Sequence, residues 1–240
     1  MRTFTASVAF AAIVSQAEAF WGTAHVLLAR RAQDILQASY PGTFSQALDE
    51  LKPLQKYYSS LTSGEGSNPF TECATFADDI KGEGYSFQSD WHYINLPYLD
   101  DAGTTLDDFN FDQGTWNIVD ALSDMTKFLK YEITASESIY MTKIASYFSY
   151  EEDQRSFALR MIVHYVGDVH QPLHSATKVD SQYTTGDRGG TSEHIPSKDG
   201  VSSLHFVWDS VLYEYTGRVS LPLTTSAWDW YTTEVASLVS

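Results

Sequence analysis

Apolar positions along this chain recur chiefly at helical spacing. They predict helices over 23–39, 44–61, 102–130, 133–147, 152–170, 201–216 and 227–238, segments in which residues three and four apart share a face. Turn signals at Pro41-Gly42, Gly64-Glu65-Gly66 and Asn68-Pro69 punctuate the first half. Strict apolar and polar alternation is scarce, so strands are expected only within the irregular loop 178–199. Its Gly186-Asp187-Arg188-Gly189-Gly190 run suits either a site-bordering segment or an insertion. The expected fold is all-α, a single helical domain over 20–240.

One helix departs from the amphipathic pattern. The stretch 160–174 reads RMIVHYVGDVHQPLH, with His164 and Asp168 four apart and enclosed by Met161, Ile162, Val163, Tyr165, Val166 and Val169. Residues four apart stack on one helix face, so the pair can grip one ion. A buried imidazole and carboxylate need a partner, and a divalent cation suits both. Pro172 ends the helix and delivers His174 from the following turn. A lone HxxxD pair is equally compatible with a core histidine satisfied by hydrogen bonds. Repetition favours metal: LHFVWD places His205 and Asp209 at the same spacing among Leu204, Phe206, Val207 and Trp208.

Composition narrows the setting. Met1 and Arg2, an apolar run over 4–14 and the triplet Ala17-Glu18-Ala19 read as a secretory signal peptide over 1–19, cleaved before Phe20. No later segment approaches about 18 uninterrupted apolar residues, so no membrane span is expected. The mature protein is expected to be exported, to the extracellular space or the lumen of the secretory or lysosomal pathway, and to be a monomer. Cys73 is the sole cysteine, so no intrachain disulfide staples the fold, and bound metal is the alternative staple. The net charge of -16 argues against nucleic-acid binding through a basic surface. It does not exclude a phosphate substrate drawn to ions in a cleft.

Other candidates are weaker taken singly. His25 lies at the start of the first helix, close after Phe20, whose freed α-amine and carbonyl could reach the same ion. His92, in DWHYINLPY, reads equally as a packed core residue, and Asp78, in TFADDIK, as part of a solvated acidic pair. His170 and His194 are assigned to structure or surface.

Taken together, FWGTAH, ADDIK, WHYINLPY, VHYVGDVHQPLH, DRGG and LHFVWD, in this order, resemble the three-zinc, single-strand-specific class I nuclease and 3'-nucleotidase family, whose fold is almost all helix. The resemblance implies three Zn²⁺. One is held by Asp78, His92, His164 and Asp168. A second shares Asp168 and takes the α-amine and carbonyl of Phe20 with His25. The third is held by His174, His205 and Asp209, leaving room for water or substrate. It further implies metal-assisted hydrolysis of single-stranded DNA, RNA and 3'-nucleotides, with Asp78 orienting the attacking water and Lys81 stabilising phosphate charge. Tyr93 matches a base-stacking aromatic. Asn95 stands where many members carry an acidic base-reading residue. Phe20 replaces the usual first Trp, and Thr191 and Ser203 replace common asparagines. The chain has 31 residues after Asp209, short for the family, which leaves open a fragment lacking helices that close the core. A zinc-dependent phospholipase C and a non-catalytic zinc-stabilised protein are the competing readings. Asp209, where such phospholipases carry Glu, favours the nuclease.

The N-terminus supplies a test. One residue added before Phe20 replaces a neutral amine ligand with a poorly donating amide and is expected to weaken or abolish zinc uptake and single-strand cleavage, while Phe20→Trp does little. Equal zinc content and activity from both chains would show that the α-amine is not a ligand.

Overall fold

A computed structural model describes residues 20–240; the expected signal peptide, 1–19, lies outside the described residues. The central element is α7, Glu151–Asp168, close to its expected span. It is buried on nearly all sides, with Phe157, Ala158, Met161 and Tyr165 in the main core beside buried Arg155, Arg160, His164 and Asp168. Around it pack α1 (Gly22–Ser39), α2 (Pro41–Tyr57), the one-turn helix α4 (Phe76–Asp79), α5 (Ile118–Leu129) and α6 (Ile139–Ala145). Between α2 and α4 lies the single turn α3 (Pro69–Glu72). The core is aromatic: Trp91, fully buried, stacks on Trp116 and meets Tyr140 edge-on at 5.0 Å. A smaller cluster of Val26, Leu27, Tyr215, Tyr231 and Val235 fastens the last helix, α9 (Thr225–Leu238), to α1. Among the described residues no helix is long and apolar enough to cross a membrane.

Several expectations need correcting. The predicted helix over 102–130 exists only as α5, because Gly103 and Gly114 adopt left-handed φ of 80° and Asn117 caps a new start by accepting from the Asp120 amide at 2.9 Å. The segment 133–147 is split by two caps, Thr134 and Ser138, so that only α6 is α-helical. The segment 201–216 opens as strand β4 (Val201–Ser203), forms the short helix α8 (Leu204–Asp209), then leaves it through positive φ at Val211, Leu212 and Tyr213. Strands also extend beyond the loop 178–199. β1 (Leu96–Leu99) pairs in parallel with β2 (Ala176–Val179), and β3 (His194–Lys198) pairs antiparallel with β4. Three or four residues are too few to display an alternation that sequence can register.

One buried ion pair ties α7 to the turn after α2. Arg160 Nε and Nη2 donate to the two Glu65 oxygens at 2.6 and 2.7 Å, with both side chains almost fully buried. Removing one partner strands the other charge in the core, so Glu65→Gln is expected to lower stability by about 3–5 kcal/mol in chemical denaturation. A loss below about 1 kcal/mol would mean that water reaches Arg160.

Candidate metal centre and cleft

Four short elements and the start of α1 converge at the C-terminal end of α7. The last two turns of α7 carry His164 and Asp168, and the 3-10 turn Pro172–His174 delivers His174. α4 projects Asp78 while its neighbours Phe76 and Ala77 anchor in the core. The 3-10 segment Ser86–Trp91 is pinned by Trp91 and presents His92 as the next residue. α8 carries His205 and Asp209, its start capped by the Ser203 hydroxyl. His25 enters from the first turn of α1 and stacks on His164 with ring centroids 4.0 Å apart.

Donor atoms of three residue sets lie within 4.8 Å of one another: His25, Asp78 and His164; His92, His164 and Asp168; and His174, His205 and Asp209. His164 belongs to the first two sets, which therefore form one continuous centre. Asp168 is its hub, with Oδ1 3.2 Å from His25 Nε2 and Oδ2 2.8 Å from His92 Nδ1 and 3.3 Å from His164 Nε2.

The outward nitrogens decide what the inward ones can do. His164 Nδ1 lies 2.6 Å from the Ala74 carbonyl, His174 Nδ1 2.6 Å from that of His92, and His205 Nδ1 2.7 Å from that of Gly189. A carbonyl only accepts, so each of these nitrogens carries the proton and each Nε2 of a neutral ring points a lone pair into the centre. His92 is set the same way in reverse. Gln88 donates its amide to the Ala77 carbonyl at 2.6 Å, so its Oε1 faces His92 Nε2 at 2.7 Å and must accept from it. In the third set, His174 Nε2 faces His205 Nε2 at only 3.2 Å. Two lone pairs at that separation repel unless a cation lies between or beside them. The donors, all imidazole nitrogen and carboxylate oxygen, fit a zinc-type ion.

Titration directions agree with this arrangement. Burial drives His92 down to about 3, so the ring is a neutral donor. Burial also lowers His25 and His174. Burial opposes charge on His164 as well, but Asp168 and Asp78 outweigh it and lift that ring to about 9, so where no cation is bound a proton on Nε2 supplies the positive charge that a cation would replace. Burial would raise the Asp78 and Asp168 carboxyls, yet the surrounding histidines, with Lys81 beside Asp78, hold both well below the usual range. The pocket is built for positive charge among its carboxylates.

A cleft of about 270 Å³ opens over the centre and is lined by Lys81, Tyr93, Asn95, His174 and His205, together with Ser89, Asp90 and Arg188. Lys81 Nζ donates to Asp78 Oδ1 at 2.7 Å, and the Tyr93 hydroxyl donates to Asp90 at 2.8 Å. Phe20 lies beside His25, their rings edge to face at 6.3 Å, while the Trp21 amide donates to the Asp209 carbonyl at 2.9 Å and ties the N-terminal segment to α8. His170 and His194 are exposed, as expected.

Sequence reasoning missed Gln171, Gln88 and Arg188. Gln171 is buried, donates to Asp209 Oδ1 at 2.8 Å and turns its oxygen to the Leu173 amide. Its signal was its place between Asp168 and His174. Arg188 was visible in DRGG, but only the fold brings it to the cleft. The loop reaches His205 because Gly189, with φ of 59°, approaches where a Cβ would fall 2.3 Å from the Leu173 carbonyl.

A buried helical centre of imidazoles and carboxylates under a polar cleft defines a metal-binding protein of helical architecture. The S1/P1 Nuclease family model matches residues 20–235, and the chain belongs to that family. It is similar to Endonuclease 2 of Arabidopsis thaliana, 27% identical over 81% of this chain and 56% of that protein. It is also similar to Endonuclease 5 of the same plant, 26% identical over 69% of this chain and 50% of that protein. The chain thus spans about half the length of these curated relatives.

Gly167 supplies the test of the centre. It sits inside α7, where glycine costs about 1 kcal/mol against alanine, and a Cβ there would fall 2.6 Å from His25 Nδ1. Gly167→Ala is expected to preserve the helical circular dichroism yet lower zinc bound per chain by displacing His25. Undiminished zinc would show that His25 is not needed to hold it.

Proposed function

We propose that the protein is a secreted, zinc-dependent endonuclease that hydrolyses single-stranded DNA and RNA to 5'-phosphate products, with 3'-nucleotidase activity on small substrates. The observation that carries this is the set of inward-pointing lone pairs from His92, His164, His174 and His205 at the foot of a cleft edged by Lys81, Arg188 and Tyr93. Family membership and the two endonuclease relatives support it. Export rests on the leader read over 1–19.

Three Zn²⁺ are proposed, held by Asp78, His92, His164 and Asp168; by Phe20, His25 and Asp168; and by His174, His205 and Asp209. Bound there, zinc supplies Lewis-acid charge to the phosphodiester and acidity to a water. Every other part falls to the chain's own groups. Asp78, an ionised acceptor, orients the attacking water. Lys81, held 2.7 Å from Asp78, neutralises charge that builds on phosphate oxygens and on the departing 3'-oxygen. Tyr93, anchored through Asp90, offers a ring on which an unpaired base stacks without regard to sequence. Asn95, which can donate as well as accept, widens base tolerance relative to a carboxylate at that position. A duplex keeps its bases stacked inward and cannot offer one to Tyr93, which favours single strands.

The deciding experiment compares cleavage of single-stranded, double-stranded and lipid phosphodiester substrates with and without a zinc chelator. Cleavage confined to single strands, with 5'-phosphate ends and loss of activity in chelator, is expected. Fewer than two zinc ions per chain, full activity in chelator, or turnover of the lipid substrate alone would overturn the reading.

A further inference from the structure

The metal centre opens on two sides. Beside Asp78 a second cleft of about 520 Å³ is lined by Trp21, Thr75, Asp78, Asp79, Asp199 and Arg218, among others. Asp78 is the wall that joins the two, since its Oδ1 accepts from Lys81, which lines the first cleft. Its side chain is 11% exposed, against 1% or less for His25, His92, His164 and Asp168. Asp78 lines the second cleft and borders the first through Lys81, while His174 and His205 line the first, so a strand with its phosphate at the centre has polar clefts on both sides.

We propose that the second cleft is a nucleotide subsite for the strand on the other side of the cleaved phosphate. In it Trp21 takes the base and Arg218 the next backbone phosphate. This rests on the nuclease reading and deepens it. An acidic chain with only 15 lysines and arginines sets Lys81 and Arg188 at one cleft and Arg218 at the other. Arg218 is exposed, and at its neighbour Gly217 an added Cβ would meet nothing within 4 Å, so a backbone can approach. Trp21 is fixed by its backbone N–H, which donates to the Asp209 carbonyl, and by its ring against Phe206 at 6.4 Å. The cleft carries three carboxylates to one guanidinium, which is wrong for a lone anion. It suits a nucleoside, whose exocyclic amine donates to carboxylate oxygen. Asp78 belongs to the centre, and Asp79 is positioned by the Thr75 hydroxyl at 2.6 Å, leaving its other oxygen to accept. The subsite favours a polymer over a mononucleotide, which fills one side only.

The test compares Arg218→Glu with Arg31→Glu, an equal charge change at an exposed position of α1 outside both clefts. Kinetics on oligodeoxycytidylate and on 3'-cytidylate are measured with zinc-loaded protein. Fluorescence anisotropy of a labelled phosphorothioate oligodeoxycytidylate reads binding without turnover. Relative to Arg31→Glu, Arg218→Glu is expected to raise KM and Kd for the oligonucleotide about tenfold while kcat and the KM for 3'-cytidylate change far less. Trp21→Leu is expected to weaken the oligonucleotide alone. Equal effects of Arg218→Glu and Arg31→Glu, or equal losses on polymer and mononucleotide, would overturn the subsite. Arg218-dependent binding of the strand by a protein that cleaves nothing would sink the nuclease reading and leave the subsite standing. Cleavage of single strands indifferent to Arg218 would do the reverse.

Discussion

Two carboxylates and three imidazoles, Asp78, Asp168, His25, His92 and His164, are packed together at the end of α7 with almost no access to water. Taking such groups out of water costs several kcal/mol for each charge, and that cost is recovered only if positive charge lies among them. The rest of the structure is arranged around meeting this condition. α7 cannot be an ordinary amphipathic helix because its polar positions must be buried rather than shed to solvent. The aromatic core of Trp91, Trp116, Tyr140 and Phe157 holds the neighbouring elements rigid enough for donors from four of them to converge.

Convergence alone would not suffice, because an imidazole offers a lone pair from only one nitrogen. Here the backbone and one glutamine make that choice in advance. The carbonyls of Ala74, His92 and Gly189, with Gln88, each accept from the outer nitrogen of a histidine and turn the other inward. The carbonyl under His174 belongs to His92, so the two sets of donors are mechanically linked through one residue. Gly189 serves the same end from the other side, since only glycine lets its carbonyl come under His205 while the chain crosses so near Leu173. Those outer partners orient the ligands without touching any ion.

The acidic exterior and the centre divide the electrostatic work. A chain of charge -16 repels polyanions at long range, so it has no general affinity for nucleic acid. Under the proposed function, binding of a strand falls to the centre and to the two clefts that carry Lys81, Arg188 and Arg218. On that proposal the protein engages a strand where it can act on it and little elsewhere.

Sequence by itself determined the helical class, the span of α7 and the two HxxxD pairs, because these leave local marks, whereas His25, Asp78 and His92 stood out only through the family resemblance. Buried HxxxD pairs break the amphipathic rule, and Pro172 stops a helix at a legible point. It overran the helix at 102–130 and 201–216, where Asn117 and Ser203 restart the chain through caps that compete with a continuous apolar spacing. Only the tertiary structure decided which nitrogen of each histidine faces inward, since the accepting carbonyls lie as far as 90 positions away. It alone brought Gln88, Gln171, Arg188 and Arg218 to the site. None sits at a periodic position, and a long side chain can reach its partner from many places along the chain. Spacing records which residues share an element; what they face is set by how the elements pack.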